Sequence, residues 1–262
     1  MNHLYKIILI LLFLGLTMIS TLSPNDKIVT IFAHGLGGDA TQGRYYHVDS
    51  NEQYSFIQTA LITFNFKDAG NPFLSCLGQE ADTACLHEIC KKYTCAILVG
   101  CSRGAATIAN YLATYQPKNI VAAILESPFD QVSNVIKPRP GLENLELIAP
   151  SMYPNYKPNG LQPIKVAERI PHNIPILIVA SKQDSLIPYT STENLYNKIV
   201  ASGHKKAHLL ITKKGAHANI LFEKNGYIFR DAVHAFFKEY DLPYHQSWAL
   251  EGQNFLNDAK QA

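Results

Sequence analysis

The chain has 262 residues, of which 47% are hydrophobic and 17% are charged. That length is common for one α/β domain, and the hydrophobic fraction is sufficient for a large buried core. A formal net charge of +2 gives no reason to expect a nucleic acid partner. The composition therefore predicts one globular domain, and the motifs along the chain must indicate its chemistry.

An apolar segment near the amino terminus predicts export. Residues 7–19 are almost entirely apolar and follow Lys6. This run is shorter than the roughly 20 residues that span a bilayer, and it is typical of a secretory signal peptide. No A-x-A cleavage site follows, so an uncleaved membrane anchor over residues 4–22 stays the alternative. We expect residues 1–23 to be a signal peptide or anchor and residues 24–262 to form the folded domain of a periplasmic, secreted or membrane-anchored protein.

The first predicted strand, residues 27–33, leads into a glycine-rich loop. Residues 34–38 read His-Gly-Leu-Gly-Gly. Such a loop allows backbone N–H groups to point into a cavity, where they can stabilise a negatively charged oxygen. The N–H of Leu36 is the candidate donor, although a glycine turn that merely leaves the sheet would have the same sequence.

Cysteines cluster after the second predicted strand. An oxidising compartment would allow them to pair, and four cysteines permit three pairings. We prefer Cys76 with Cys85, because this bridge would join the loop after the strand to the start of the next helix. Cys101 is expected to be a small buried side chain, and the spacings do not form a convincing zinc pattern. The four clustered cysteines are Cys76, Cys85, Cys90 and Cys95.

The third predicted strand breaks at Gly-Cys-Ser-Arg-Gly, residues 100–104, and continues as a helix. This pattern indicates a nucleophile elbow, in which a strained strand-to-helix turn exposes the serine hydroxyl. Ser102 is therefore the candidate nucleophile, and the N–H of Arg103 is a second candidate donor to an oxyanion. The Arg103 side chain could pair with an anionic substrate group or with a neighbouring carboxylate.

Two later strands end in residues that could complete a catalytic triad. Asp184 follows the predicted strand 175–181, and His217 follows the predicted strand 207–212. An acid at one strand end can orient a histidine at another, and the histidine can then act as a base toward a serine. Asp130, after the fourth strand, is a rival acid. Asp184 is preferred because the segment between it and His217 has room for one helix and one strand.

The alternation of strands and helices predicts a three-layer, doubly wound sheet with ligands at the carboxyl ends of its strands. Nine of the fourteen prolines fall between Pro128 and Pro175, so residues 128–174 are expected to be a short lid insertion. The sequence after Pro243 has weak patterning and is expected to wrap the surface or be mobile. The predicted strands are residues 27–33, 60–66, 95–100, 120–126, 175–181 and 207–212, and the predicted helices include residues 80–93, 103–115 and 228–240.

From Lys27 to about Tyr240 the chain resembles the α/β-hydrolase fold family of serine hydrolases. The resemblance rests on the loop 34–38, the elbow 100–104, Asp184 and residues 215–217. It implies a triad of Ser102, Asp184 and His217, with Leu36 and Arg103 as oxyanion donors and with no metal or organic cofactor.

The substrate implied by this resemblance is a small-molecule acyl ester or a lipid. A peptidase or amidase of the same fold is the second reading. A catalytically silent binding module is the third, and the complete set of motifs argues against it. Fold resemblance indicates the catalytic machinery better than the substrate.

Overall fold

A computed structural model describes residues 28–136 and 145–259. A six-stranded parallel sheet forms its middle layer, in the order β2-β1-β3-β4-β5-β6. The prediction of a doubly wound α/β sheet is thereby confirmed. The strands are Val29–Ala33 (β1), Ala60–Thr63 (β2), Ala96–Cys101 (β3), Ile120–Glu126 (β4), Ile176–Ser181 (β5) and Ala207–Thr212 (β6).

Helices cover both faces of this sheet. One face packs apolar residues of α1, α2 and α6, and the opposite face packs α7 and α8. The four inner strands, β1, β3, β4 and β5, are mostly apolar because both of their faces are buried, whereas the edge strands β2 and β6 are partly exposed. The helices are Glu80–Cys90 (α1), Arg103–Tyr115 (α2), Val132–Ile136 (α3), Leu145–Met152 (α4), Pro163–Val166 (α5), Tyr189–Ala201 (α6), Gly226–Glu239 (α7) and Gln246–Ala259 (α8).

The chain beyond Pro243, which was expected to wrap the surface or be mobile, forms the last helix, α8. It packs along α7, with Ala249 and Leu256 fully buried. The two helices approach so closely that a Cβ on Gly252 would lie 1.9 Å from the Asp231 carbonyl oxygen. Few apolar residues suffice for such close packing, which is why the sequence pattern was weak.

The proline-rich segment lies over the amino-terminal part of α2. Phe129, Val132 and Tyr156 pack with Ala106 of α2 and with Ile187 in a small apolar cluster. The segment contains α3, α4 and α5, which are short, as its proline content predicts. Residues 137–144 of the predicted lid lie outside the described residues.

The predicted leader, residues 1–23 with its possible anchor 4–22, also lies outside the described residues. Among the helices of residues 28–136 and 145–259, none has the length and hydrophobicity needed to cross a bilayer.

The predicted Cys76–Cys85 disulfide is not formed, because both residues are free thiols in the structure. The buried Cys76 thiol lies beside the Asp82 carboxyl, and the Cys85 thiol is directed at the Asn65 carbonyl oxygen, 3.8 Å away. Burial raises the pKa of Cys76 to about 12, so this side chain is a protonated thiol near neutral pH. The expected burial of Cys101 is confirmed, since its side chain is inaccessible to solvent.

Candidate active site

All six strands are parallel, so their carboxyl ends meet at one edge of the sheet. Ser102 lies at this edge, between β3 and α2, with φ of 53° and ψ of −120°. A non-glycine residue in such a sparsely populated region costs about 1 to 3 kcal/mol of backbone strain. The strained turn directs the serine away from the sheet.

The two glycines of the elbow are required by close packing. A Cβ on Gly104 would lie 2.0 Å from the Ala33 carbonyl oxygen, so any side chain would push α2 away from β1. A Cβ on Gly100 would lie 2.8 Å from the backbone of Gly104. The sequence pattern around Ser102 thus reflects the narrow space between a strand end and a helix start.

A continuous hydrogen-bonded chain connects three predicted site residues. Ser102 Oγ lies 2.8 Å from His217 Nε2, and His217 Nδ1 lies 2.7 Å from Asp184 Oδ2. A carboxylate can only accept, so Nδ1 carries the proton and Nε2 is left to accept from the serine hydroxyl. This tautomer is the one that a general base toward Ser102 requires.

Asp184 is held by its own loop. Its Oδ1 atom accepts hydrogen bonds from the backbone N–H groups of Leu186, at 2.8 Å, and Ile187, at 2.9 Å. Burial alone raises the pKa of this carboxyl, but the hydrogen bonds from His217 and the two amides outweigh burial and leave the pKa below its usual value. The carboxyl is therefore ionised near neutral pH.

The rival acid, Asp130, is engaged elsewhere. Its Oδ1 atom accepts from the Ser191 hydroxyl at 2.5 Å, and Asn134 Nδ2 donates to both carboxylate oxygens. Asn194 Nδ2 is a further donor at 3.4 Å. Asp130 therefore links the start of the proline-rich segment to α6, and the structure brings Asp184 rather than Asp130 to His217.

A cavity of about 300 Å³ opens at Ser102 and His217. Its lining is largely apolar, and several of the lining residues come from the proline-rich segment. Small-molecule sites commonly combine such walls with a few polar groups at one end. The apolar lining residues are Leu36, Leu77, Phe129, Val132, Val135, Tyr153, Leu186 and Ile187.

The two predicted oxyanion donors, Leu36 and Arg103, both line this cavity. Arg103 is the first residue of α2, and the N–H of a first helical residue has no acceptor within its helix. Gly35, next to Leu36, donates its N–H to Gln42 Oε1 at 2.9 Å, which fixes the start of the loop. The structure thus brings both predicted residues to the cavity that contains Ser102.

The Arg103 side chain is buried, at only 2% exposed. It makes two hydrogen bonds to Asp82, from Nε and Nη2, and two to Asp68, from Nη1 and Nη2. Burial alone lowers the pKa of the guanidinium, but the two carboxylates outweigh it and hold the pKa above its usual value. The sequence allowed the Arg103 side chain to pair with an anionic substrate group or with a neighbouring carboxylate. The structure shows the pairing with carboxylates.

The side chains of His34 and Glu126 had no role predicted from the sequence. His34 Nδ1 donates to the Gly35 carbonyl and Nε2 accepts from Phe66 N–H, so the ring is neutral and braces the glycine-rich loop. Burial lowers the pKa of His34, in agreement with this neutral state. Glu126 accepts from Tyr46 and from Ile220. The position of His34 between a strand and a glycine loop was a usable signal, whereas Glu126 resembled any strand-end residue.

Within the described ranges, no group of three or more His, Cys, Asp or Glu side chains is arranged to hold a metal ion. The polar side chains of Ser102 and His217 both line the cavity. This arrangement can support nucleophilic attack on an electrophilic carbon with a histidine as base.

Comparison with known proteins identifies the fold. A scan against protein-family models finds no match, and a search of curated proteins finds no relative. Among solved structures, an esterase from Pyrococcus furiosus has a TM-score of 0.57 at 15% identity over 82% of this chain and 83% of the esterase. A monoacylglycerol lipase from Paleococcus ferrophilus has a TM-score of 0.55 at 17% identity over 78% of this chain and 91% of the lipase.

An acylaminoacyl peptidase from Pyrococcus horikoshii has a TM-score of 0.61 at 16% identity, over 85% of this chain and 38% of the peptidase. These likenesses, together with the parallel sheet, show that the chain has the α/β-hydrolase fold. The predicted fold is thereby confirmed. Proteins of one fold catalyse different reactions, so the function must be argued from the site.

Proposed function

We propose that this protein is a serine hydrolase that cleaves carboxylic esters through an acyl-enzyme intermediate. The observation that carries the proposal is the chain of hydrogen bonds from Ser102 through His217 to Asp184, which opens on an apolar cavity. Solved esterases and a lipase with the same fold support a hydrolase.

The reaction follows from the protonation states at the site. Ser102 Oγ attacks the acyl carbonyl carbon while its proton passes to His217 Nε2, and Asp184 stabilises the imidazolium that results. His217 then returns the proton to the leaving alcohol oxygen as the ester C–O bond breaks. A water molecule, deprotonated by His217, attacks the acyl-enzyme and releases the acid with Ser102 restored.

Backbone N–H groups stabilise the negative oxygen in this scheme. Leu36 and Arg103 are the proposed donors because both border the cavity that holds Ser102. Loss of one such donor typically costs about 2.7 to 4 kcal/mol of transition-state stabilisation. The Arg103 side chain contributes indirectly, since its bonds to Asp68 and Asp82 hold the first turn of α2 in place.

The cavity favours a small, uncharged acyl group. Its volume of about 300 Å³ is at the lower end of the range for small-molecule sites, and its lining is apolar. The charge of Arg103 is fully used by two carboxylates, so it is not available to an anionic substrate. Esters of short or medium chain acids therefore fit better than long-chain or charged acyl groups.

A peptidase or amidase with the same machinery is the second candidate, supported by the fold shared with the acylaminoacyl peptidase. This chain covers only 38% of that peptidase, and its lid is a short segment. A binding module without catalysis is the third candidate, and the aligned hydroxyl and imidazole argue against it.

The apolar segment 7–19 supports export, so we propose that the substrate is met outside the cytoplasm.

A fluorophosphonate probe tests the central claim, because it reacts covalently with an activated serine. We expect labelling of the wild-type protein and turnover of p-nitrophenyl acetate, butyrate and octanoate, with palmitate the poorest substrate. The matched p-nitroanilides should react much more slowly. Faster release of p-nitroaniline than of p-nitrophenol would favour the amidase, and absence of both labelling and turnover would favour the binding module.

A further inference from the structure

A buried carboxyl group lies at the carboxyl end of β4, outside the proposed triad. Glu126 is 1% exposed, and burial raises the pKa of its carboxyl. A buried carboxyl is costly unless hydrogen bonds compensate it. Tyr46 Oη donates to Glu126 Oε2 at 2.7 Å, and the backbone N–H of Ile220 donates to Oε1 at 3.1 Å.

The bond to Ile220 connects Glu126 with the loop that carries His217. This loop folds on itself, because Asn219 N–H donates to the Ala216 carbonyl at 3.1 Å. Gly215, at φ of 135°, also leaves room for Ile220, which a Cβ at that position would approach to 3.0 Å. A displacement of Ile220 would therefore be transmitted to His217.

The sheet itself cannot hold this loop against β4. In the strand order β5 lies between β4 and β6, so the described strand β6, which precedes His217, shares no ladder hydrogen bond with β4, which ends at Glu126. The Glu126 side chain reaches across the end of β5 and makes this connection directly.

The main chain of the same residue holds the nucleophile. The Ser102 N–H donates to the Glu126 carbonyl oxygen at 2.8 Å, at the point where β3 turns into α2. Glu126 thus contacts the nucleophile through its backbone and the base loop through its side chain. The hydrogen bond from Ser102 Oγ to His217 Nε2, at 2.8 Å, joins the nucleophile to the base loop.

We propose that Glu126 is a positioning residue that sets the distance between Ser102 and His217 by tying the His217 loop to β4 through the Ile220 N–H. The inference rests on the proposed serine hydrolase function. Glu126 is not among the residues that line the cavity at Ser102 and His217. It acts through the hydrogen bond that its carboxyl accepts, with Tyr46 orienting that carboxyl.

Two substitutions separate the effect of the hydrogen bond between Glu126 and Ile220 from the effect of the carboxyl charge. Glu126→Leu removes the acceptor at similar size, so His217 loses its fixed distance from Ser102. Misplacement of a reacting group by about 1 Å can cost roughly 100-fold in rate, and we expect kcat to fall by roughly 10-fold to 100-fold with KM nearly unchanged. Glu126→Gln keeps an amide oxygen for Ile220 and an NH₂ group for Tyr46 Oη, so it should retain nearly wild-type kcat.

The experiment measures kcat, KM and the rate of fluorophosphonate labelling on folded proteins, with Asp130→Asn as the control for loss of a buried acid at the same sheet edge. Slow turnover in Glu126→Leu with near wild-type turnover in Glu126→Gln supports the tether. A folded Glu126→Leu protein with wild-type kcat, or a Glu126→Gln protein as slow as Glu126→Leu, overturns it.

If Glu126→Leu does not fold, Tyr46→Phe decides the question. This substitution removes one of the two donors to the Glu126 carboxyl and leaves β4 intact. We therefore expect kcat to fall several-fold with KM unchanged. A Tyr46→Phe protein with wild-type kcat would overturn the inference. A wild-type protein that neither takes up the probe nor hydrolyses any ester would overturn the proposed function together with the inference. Wild-type activity beside an equally active Glu126→Leu overturns the inference alone.

Discussion

Two polar clusters meet at the start of α2 and differ in how their hydrogen bonds are used. In the cluster of Arg103, Asp68 and Asp82, four hydrogen bonds join one guanidinium to two carboxylates, and all three side chains are at most 6% exposed. In the chain of Ser102, His217 and Asp184, the His217 side chain is 13% exposed and reaches the cavity. The closed cluster can only hold the backbone in place, whereas the open one has groups that can meet a substrate.

The largest effect should come from the open cluster. Ser102→Ala deletes the hydroxyl of the proposed nucleophile and leaves the packing of the elbow intact, so we expect kcat to fall by roughly 10⁶-fold. Residual activity should be no more than the roughly 10³ to 10⁴ over water that binding and an oxyanion hole provide. Hydrolysis of p-nitrophenyl butyrate and probe labelling measure the loss, and circular dichroism checks the fold.

Ser127→Ala is the matched control for that substitution. Ser127 is also a buried serine at a strand end with positive φ, and its hydroxyl has no hydrogen-bond partner among the described residues. Its removal should leave labelling unchanged. Wild-type turnover in a folded Ser102→Ala protein would contradict the proposed nucleophile.

The proposed acid, Asp184, should give the next largest effect. Asp184→Asn keeps the shape but favours the wrong histidine tautomer, and we expect roughly 10⁴-fold lower kcat with little change in KM. Asp130→Asn should keep near wild-type kcat, because its partners are Ser191 and two asparagines rather than His217. Steady-state kinetics on both proteins checks the pair, and the reverse result would move the acid to Asp130.

The closed cluster should affect stability instead of chemistry. Asp68→Ala leaves a buried charge partly unpaired, so the free energy of unfolding should fall by about 3 to 5 kcal/mol. Glu88→Ala is the control, because the Glu88–Lys91 pair is more than half exposed and is screened by solvent, so its loss should change the free energy of unfolding far less. Urea denaturation of both variants measures the difference, and equal losses would mean that Arg103 is not held as the structure indicates.

The sequence could predict features that depend on local pattern. Buried strands, the elbow and the order of Ser102, Asp184 and His217 all follow from apolar runs and from residues that must stand at strand ends. The helix Arg103–Tyr115 was predicted at its observed bounds, because a strand and a glycine fix its start.

Features that depend on distant partners could not be predicted. Arg103 pairs with Asp68 and Asp82, which lie 35 and 21 residues away, and nothing in the local sequence marks either aspartate. The Cys76–Cys85 prediction was wrong because proximity in sequence does not determine where two thiols point. No local sequence feature marks Glu126 as a positioning residue, since its partners Tyr46 and Ile220 are 80 and 94 residues away.

The smallest expected effect concerns His234, which is closed to solvent, whereas His217 reaches the cavity. His234 is fully buried between α7 and α8, and burial, with the nearby charges of His245 and Arg230, lowers its pKa to about 3 from the unperturbed 6.5. Its Nδ1 atom accepts the backbone N–H of His245 at 3.1 Å, which a protonated ring could not do. Between these two pKa values the unfolded chain binds a proton that the folded chain does not.

This difference predicts how stability changes with pH. The contribution of His234 is fully present above about pH 6.5 and is lost as pH falls, by about 2 kcal/mol between pH 6.5 and pH 5. His234→Gln keeps an acceptor for His245 but cannot titrate, so its unfolding free energy should fall less over this interval. The remaining fall is expected from His34 and His204, whose pKa values burial also lowers. Urea denaturation at both pH values compares the two slopes, and equal slopes in wild type and variant would mean that His234 is protonated in the folded protein.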